Sequence, residues 1–156
     1  MEIVRIDDSF SRWDELLALI LSSFAYMDGV IDPPSSAQRL TLASLAQKAK
    51  DEMGFVALAD GRIVGCMFLK PEDKSLYVGK LAVAPGAQGK GLGRKLLDVA
   101  EDVAKALQLP ALRLETRIEL VGNHTTFSRW GFFKSAEKSH QGFNRKTFIE
   151  MRKDLA

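Results

Sequence analysis

A chain of 156 residues with 46% hydrophobic and 27% charged residues has the composition of one globular domain with a buried core, not of a disordered segment. Its 22 Lys and Arg against 20 Asp and Glu leave a formal net charge of +2, too balanced to indicate a nucleic-acid or membrane-surface protein. One cysteine, Cys66, excludes an internal disulfide, and the two histidines, His124 and His140, offer no metal-ligand spacing, so no metal is expected.

Residues 3–6 are short and β-branched and predict a first strand. Ser9 or Ser11 is expected to cap the helix that follows, with Asp14 and Glu15 placing negative charge in its first turns. Trp13, Leu16, Leu17, Ile20, Leu21 and Phe24 recur at helical spacing and predict one broad apolar face. That helix should end near Asp28-Gly29. Asp32-Pro33-Pro34-Ser35-Ser36 predicts a loop, because consecutive prolines cannot continue a helix. A second helix is expected over 36–53, with Leu40, Leu42, Leu45 and Ala46 inward. Residues 55–59 and 62–70 are apolar and joined by Asp60-Gly61, a strong signal for a tight hairpin. Cys66 lies in the second of these runs and is expected to be a small buried hydrophobe.

Glu72-Asp73-Lys74 turns the chain again, and 75–83 predicts the third long strand of a meander. The glycine-rich stretch 85–93 runs into a helix that places Leu92, Leu96, Val99, Ala100, Val103 and Leu107 on one face. Pro110 stops that helix. Residues 111–116 predict a strand, 123–130 a short helix ending at Gly131, and 132–137 and 147–152 two antiparallel strands. With no repeat or linker, residues 1–156 are expected to form a single α/β domain of order β-α-α-β-β-β-α-β-α-β-β. The opening Met1-Glu2-Ile3-Val4-Arg5 has no signal-peptide character, and the apolar run around 16–20 is too short to span a bilayer. A cytoplasmic protein is expected.

The strand, glycine loop and helix over 75–107 carry the chemistry. Gly89, Gly91 and Gly93 let the backbone turn sharply and gather several N–H groups, which are also the unpaired first amides of the next helix. The positive end of the helix dipole adds to them, so the site suits a phosphate without metal. Lys90, Arg94 and Lys95 add charge. A P-loop is excluded because Gly89-Lys90 is followed by Gly91 and position 84 is Ala. A dinucleotide fingerprint fails because Gly89-Lys90-Gly91 lacks its third glycine at the required spacing.

Leu81-Ala82-Val83-Ala84-Pro85 followed by Gln88-Gly89-Lys90-Gly91-Leu92-Gly93 resembles motif A of the GCN5-related N-acetyltransferases, the GNAT superfamily, whose core is [RQ]-x-x-G-x-[GA]. Asn123, Phe127 and Gly131-Phe132 resemble motif B. The resemblance implies a central mixed sheet of six to seven strands, splayed between the fourth and fifth and flanked by about four helices. It implies acetyl-coenzyme A as co-substrate, inserted in that splay. Backbone groups of Leu81, Ala82 and Val83 would pair with the pantetheine arm, whose two amides can imitate a strand along an open edge. The amides of Gln88, Gly89, Lys90, Gly91, Leu92, Gly93 and Arg94 would hold the pyrophosphate. Asn123 and Phe127 would contact the arm or thioester region.

The implied reaction is direct attack of a neutral amine on the thioester, with a base or water relay taking the amine's proton and an N–H of Leu81 or Val83 polarising the carbonyl. The sequence departs from the family at two places. Phe127 stands where motif B usually has a tyrosine, and Tyr77 stands where several relatives carry a glutamate base. Glu115, on the fifth strand, is the first candidate base, with Tyr77 and His124 as further candidates. Tyr26, Asp28 and Asp32, between the first two helices, and His140 and Phe143, in the last hairpin, are expected at the substrate. The paired carboxylates would favour a small cationic primary amine such as a polyamine, amino sugar or amino-acid derivative. Arg145 and Lys146 would instead favour a carboxylate-bearing one. A protein lysine or N-terminus as acceptor, a coenzyme A-binding module without turnover, and a homodimer all stay open.

Overall fold

The computed structural model describes residues 1–156. The chain forms β1 (Glu2–Arg5), α1 (Trp13–Phe24), α2 (Leu42–Asp51), β2 (Met53–Ala59), β3 (Arg62–Pro71), β4 (Leu76–Val83), α3 (Leu92–Ala106), β5 (Ala111–Arg117), α4 (Val121–Arg129), β6 (Phe133–Lys138) and β7 (Phe148–Asp154). This is the order expected from the sequence. The seven strands make one sheet in the order β1-β2-β3-β4-β5-β7-β6. Every neighbouring pair is antiparallel except β4 and β5, which run parallel.

Local chemistry explains where the elements begin and end, and corrects three expected boundaries. Neither Ser9 nor Ser11 caps α1. The N-cap is Arg12, without a side-chain cap bond, because Ser9 is taken by its own turn and donates its N–H to Asp7 Oδ1 at 2.9 Å. Glu15 does more than complement the dipole: its carboxylate pairs with Arg12 at 2.7 Å and accepts the Ile63 N–H at 2.9 Å, tying α1 to β3. The helix expected over 36–53 is broken. Ser36–Arg39 is a single 3-10 turn, Leu40 is extended, and Thr41 restarts the chain as α2 through a capping box with Ser44. That break leaves Leu42 exposed and Leu45 fully buried. Finally, α4 starts two residues earlier than expected, at Val121. Asn123 therefore lies inside its first turn.

The Asp60-Gly61 hairpin is as expected, with both residues at positive φ (51° and 76°), the backbone of a type I′ turn.

Two cores sandwich the sheet. On one face α3 lays Leu92, Leu96, Leu97, Ala100 and Ala104 over Leu76, Val78, Leu112 and Leu114. Leu107, expected on that stripe, is the C-cap residue and is exposed. On the other face α1 and α2 bring Leu16, Leu19, Ile20 and Leu45 onto Val56, Phe68 and Ala82. Cys66 is fully buried there, and that burial pushes its thiol up to about 12, so it is inert packing. Between β3 and β4 the register slips by one residue between the Phe68–Gly79 and Cys66–Ala82 pairs. The extra residue is accommodated at Lys80, whose φ is +50°, a β-bulge in the middle of the sheet.

Candidate functional site

β4 and β5 are paired only at Leu76–Leu112 and Tyr77–Arg113, after which they diverge. The edge of β4 that faces β5 is thus free over residues 78–83, and a cleft of about 830 Å³ opens beside it. The remaining residues of β5 stay fully paired on their far side, with β7.

One end of the cleft is the glycine loop. The N–H groups from Gln88 to Arg94 donate to no backbone carbonyl, the first bond of α3 being Lys95 N–H to Gly91 O. Gly89 and Gly91 both have φ of +79°, a region that other residues reach only with strain. A Cβ built on Gly86, Gly89 or Gly91 would meet nothing within 4 Å. These glycines are therefore not required by internal packing. They supply a turn and an open concavity of amides at the positive end of α3, which fits a pyrophosphate. Gln88, Gly89, Gly91, Leu92 and Gly93 line the cleft with Leu81, Ala82 and Val83, whereas Lys90 and Arg94 flank it from solvent.

The wall between the diverging strands is built around Arg113. Its guanidinium forks onto Glu72 at 2.8 and 2.9 Å, reaches Glu115 Oε2 at 2.8 Å and Glu150 at 3.3 Å, and lies 4.6 Å over the Tyr77 ring. The Arg113 hydrogen bonds hold the Glu72 carboxyl below the usual carboxylate range. Glu115 and Tyr77 both line the cleft. Burial, with the Glu115 charge adding to it, pushes Tyr77 up to about 12. Its hydroxyl stays protonated at neutral pH.

The structure brings Tyr26 and Asn123 together: the Asn123 amide donates to the Tyr26 hydroxyl at 3.2 Å across the mouth of the cleft. Phe127 lines it as well, packed edge-on against Trp130 and Phe132 at 5.8 Å each. Ser23 was not singled out from the sequence, yet its hydroxyl donates to Val83 O at 3.0 Å, beside the Gln88 amide at 3.2 Å. A serine on a helix face that reads as apolar is the only signal that could have found it.

At the end of the cleft where an acceptor was expected, the sequence expectations divide. His140 lines the cleft next to Phe148, and its N–H and ring both engage Thr147 Oγ1. Burial first, then the Arg117 charge, lower its pKa from the ordinary value. Asp28, Asp32, Phe143 and His124 do not line the cleft. Asp28 accepts from Gln38, Asp32 pairs with Arg145 at 3.2 Å, and Phe143 stacks near that arginine. His124 turns to the backbone, its Nε2 2.9 Å from Arg117 O. In their place stand three cations absent from the expected set: Arg39, Lys80 and Arg117. Lys80 comes from the bulge, which no periodicity in the sequence reveals. No group of three or more His, Cys, Asp or Glu is arranged to hold a metal ion.

A mixed sheet opened between two parallel strands, with a helix start facing the opening, defines an α/β domain of the acyl-coenzyme A-binding type. The Acetyltransferase (GNAT) family profile matches residues 13–132, and the chain belongs to that family and is an acetyltransferase. An IAA acetyltransferase of Azospirillum brasilense is 33% identical over 121 residues, 76% of this chain and 77% of the relative. Among solved structures, a GNAT family acetyltransferase from Staphylococcus aureus Mu50 superposes with a TM-score of 0.76 at 18% identity over 99% of each chain. A GNAT family acetyltransferase from Elizabethkingia anophelis, solved with acetyl-CoA bound, gives 0.69 at 19% identity over 99% of this chain and 97% of that one.

Proposed function

We propose that the protein transfers the acetyl group of acetyl-coenzyme A to the amine of a small molecule. The observation that carries this is the continuity of the β4 edge with the glycine loop: six residues of free strand edge lead directly to seven free amides. That sequence of groups suits a ligand with an amide-bearing arm followed by a pyrophosphate. Leu81, Ala82 and Val83 would pair with the arm, Gln88 to Arg94 would hold the phosphates, and Asn123 and Phe127 would border the thioester.

Glu115 is the residue best placed to take the proton of the attacking amine. One of its oxygens is held by Arg113, while Oε1 makes no hydrogen bond. As the nitrogen forms its bond to the acetyl carbon and the carbon–sulfur bond breaks, the Leu81 or Val83 N–H would stabilise the carbonyl oxygen. The Tyr77 hydroxyl, protonated at neutral pH, can donate to the departing sulfur, a role that Phe127 cannot fill. A cleft lined by residues of the 25–39 segment, His140 and Phe148 supports a small acceptor. The name of the Azospirillum relative, an IAA acetyltransferase, points the same way.

A thiol-release screen with acetyl-coenzyme A against amines, amino acids and short peptides tests this. Turnover with small amines is expected. Turnover confined to peptides would replace the small acceptor by a protein. Tight cofactor binding without any turnover would leave a binding module.

A further inference from the structure

The acceptor end of the cleft carries positive charges that have no ion-pair partner and that the transfer reaction itself does not need. Lys80, Arg117 and Arg39 all line it. The ten ion pairs of the chain include none of the three. Lys80 and Arg117 are held in place by neutral groups instead, and Arg39 is exposed. Lys80 Nζ donates to Ser36 Oγ at 2.6 Å, and Arg117 donates to the Pro33 and Pro34 carbonyls, at 3.0 Å for the latter. Those bonds use two of the five guanidinium donors and fix the plane of the group. Of the nearby acids, Glu119 accepts the Asp32 N–H at 3.1 Å and Asp32 pairs with Arg145; their charges offset part of that of Arg117 without forming an ion pair with it. The one acid lining the cleft, Glu115, is already bound to Arg113.

Desolvation of this kind is costly without a counter-ion. Burial is the main reason that Lys80 falls to about 8 and that Arg117 lies below the ordinary arginine value, and Lys48, Arg39 and Arg117 add repulsion at Lys80. Nor do the three serve the cofactor phosphates. Lys80 on β4 and Arg117 at the end of β5 reach the connection between α1 and α2, which carries Arg39, while the free amides begin α3, which packs on the opposite face of the sheet.

We propose that the acceptor carries a carboxylate as well as its amine, and that Lys80 and Arg117 receive that carboxylate while Arg39 guards the entrance. This rests on the transfer to a small amine argued above and names its substrate class. A planar arginine fork and a lysine from opposite strands across the splay suit a bidentate, charge-assisted grip. The grip would leave the amine pointing along the cleft toward Glu115.

The test uses a panel of small amino acids, each offered also as the amide and as the decarboxylated amine. Binding to the complex with coenzyme A is measured by calorimetry, and turnover by thiol release. The acids should bind at least tenfold more tightly than their amides. Lys80→Met should erase most of that preference by raising KM, and Arg39→Ser should weaken it in the same way, with acetyl-coenzyme A affinity unchanged. Neither depends on Arg117, whose loss could unseat the Pro33-Pro34 loop. An equal or better response to the uncharged forms, or an acid preference that both variants retain, overturns the proposal. Acids that bind through Lys80 but are never acetylated would sustain the carboxylate site and sink the amine transfer, so the two readings fail separately.

Discussion

At the scale of single residues, Glu115 and Lys80 show how one environment can set opposite roles. Glu115 lines the cleft, is fixed through one oxygen by Arg113 and makes no hydrogen bond through the other. Glu115→Gln preserves the shape and the Arg113 contact but cannot take a proton. Turnover should fall about 10²-fold or more, the low end for general-base catalysis, with cofactor affinity nearly unchanged. Full-speed turnover by the variant would move the base to ordered water. Lys80 makes a prediction about stability. Its folded value of about 8 lies below the ordinary 10.5, chiefly from burial and then from Lys48 and Arg39, with Glu52 opposing them. Between those pH values the unfolded chain binds more protons than the folded one, so stability rises with pH through the window. Below pH 8 the full cost of the buried charge is present. Lys80→Met should therefore raise Tm at pH 7, and the gain should shrink as pH climbs from 8 toward 10.5. Thermal melts of both proteins across that range decide it.

At the scale of elements, the glycine loop and the start of α3 act as one unit. Gly91 sits at φ +79° with open space around its absent Cβ, so a Cβ there would meet nothing in the protein. It would instead occupy the concavity formed by the amides. Gly91→Glu should strain the backbone by about 1–2 kcal/mol and place a negative charge where a pyrophosphate belongs. Calorimetry should show acetyl-coenzyme A binding to the parent without divalent metal and little binding to the variant. Equal affinity would place the phosphates elsewhere. The α1–α2 connection is the second unit. Its proline pair gives Arg117 two carbonyl acceptors, and its 3-10 turn puts Ser36 and Arg39 beside Lys80. The break in the expected second helix is thus what brings cations to the acceptor end.

At the scale of the whole molecule, two cores grip the sheet, and the α3 side holds the splayed strands in position. Leu96 is fully buried there among residues from β4 and β5. Leu96→Ala should cost about 2–5 kcal/mol, read as a lower denaturant midpoint at unchanged slope. A cost near zero would mean that the helix is not what supports the site.

Much of this protein was set by its sequence alone. Element order, the Asp60-Gly61 turn and the glycine-rich helix start follow from local rules of periodicity and backbone freedom, which act over a few residues. The proposed cofactor cradle is contiguous in the chain, so a motif could point to it, and Tyr77, Asn123 and Phe127, singled out by the family resemblance, line the cleft together with Glu115. The acceptor end could not be read this way. Asp28 and Asp32 stand in the right loop, but whether a loop carboxylate faces a cleft or a neighbour such as Gln38 or Arg145 depends on partners from about 10 to 113 residues away. Lys80 owes its place to a one-residue slip between β3 and β4, and Arg117 to proline carbonyls more than 80 positions earlier. Hydrophobic spacing records which face of an element is buried. The choice of charges that meet across a sheet is made only when the whole chain packs, because charge pairing is decided by distance in space and leaves no period in the sequence.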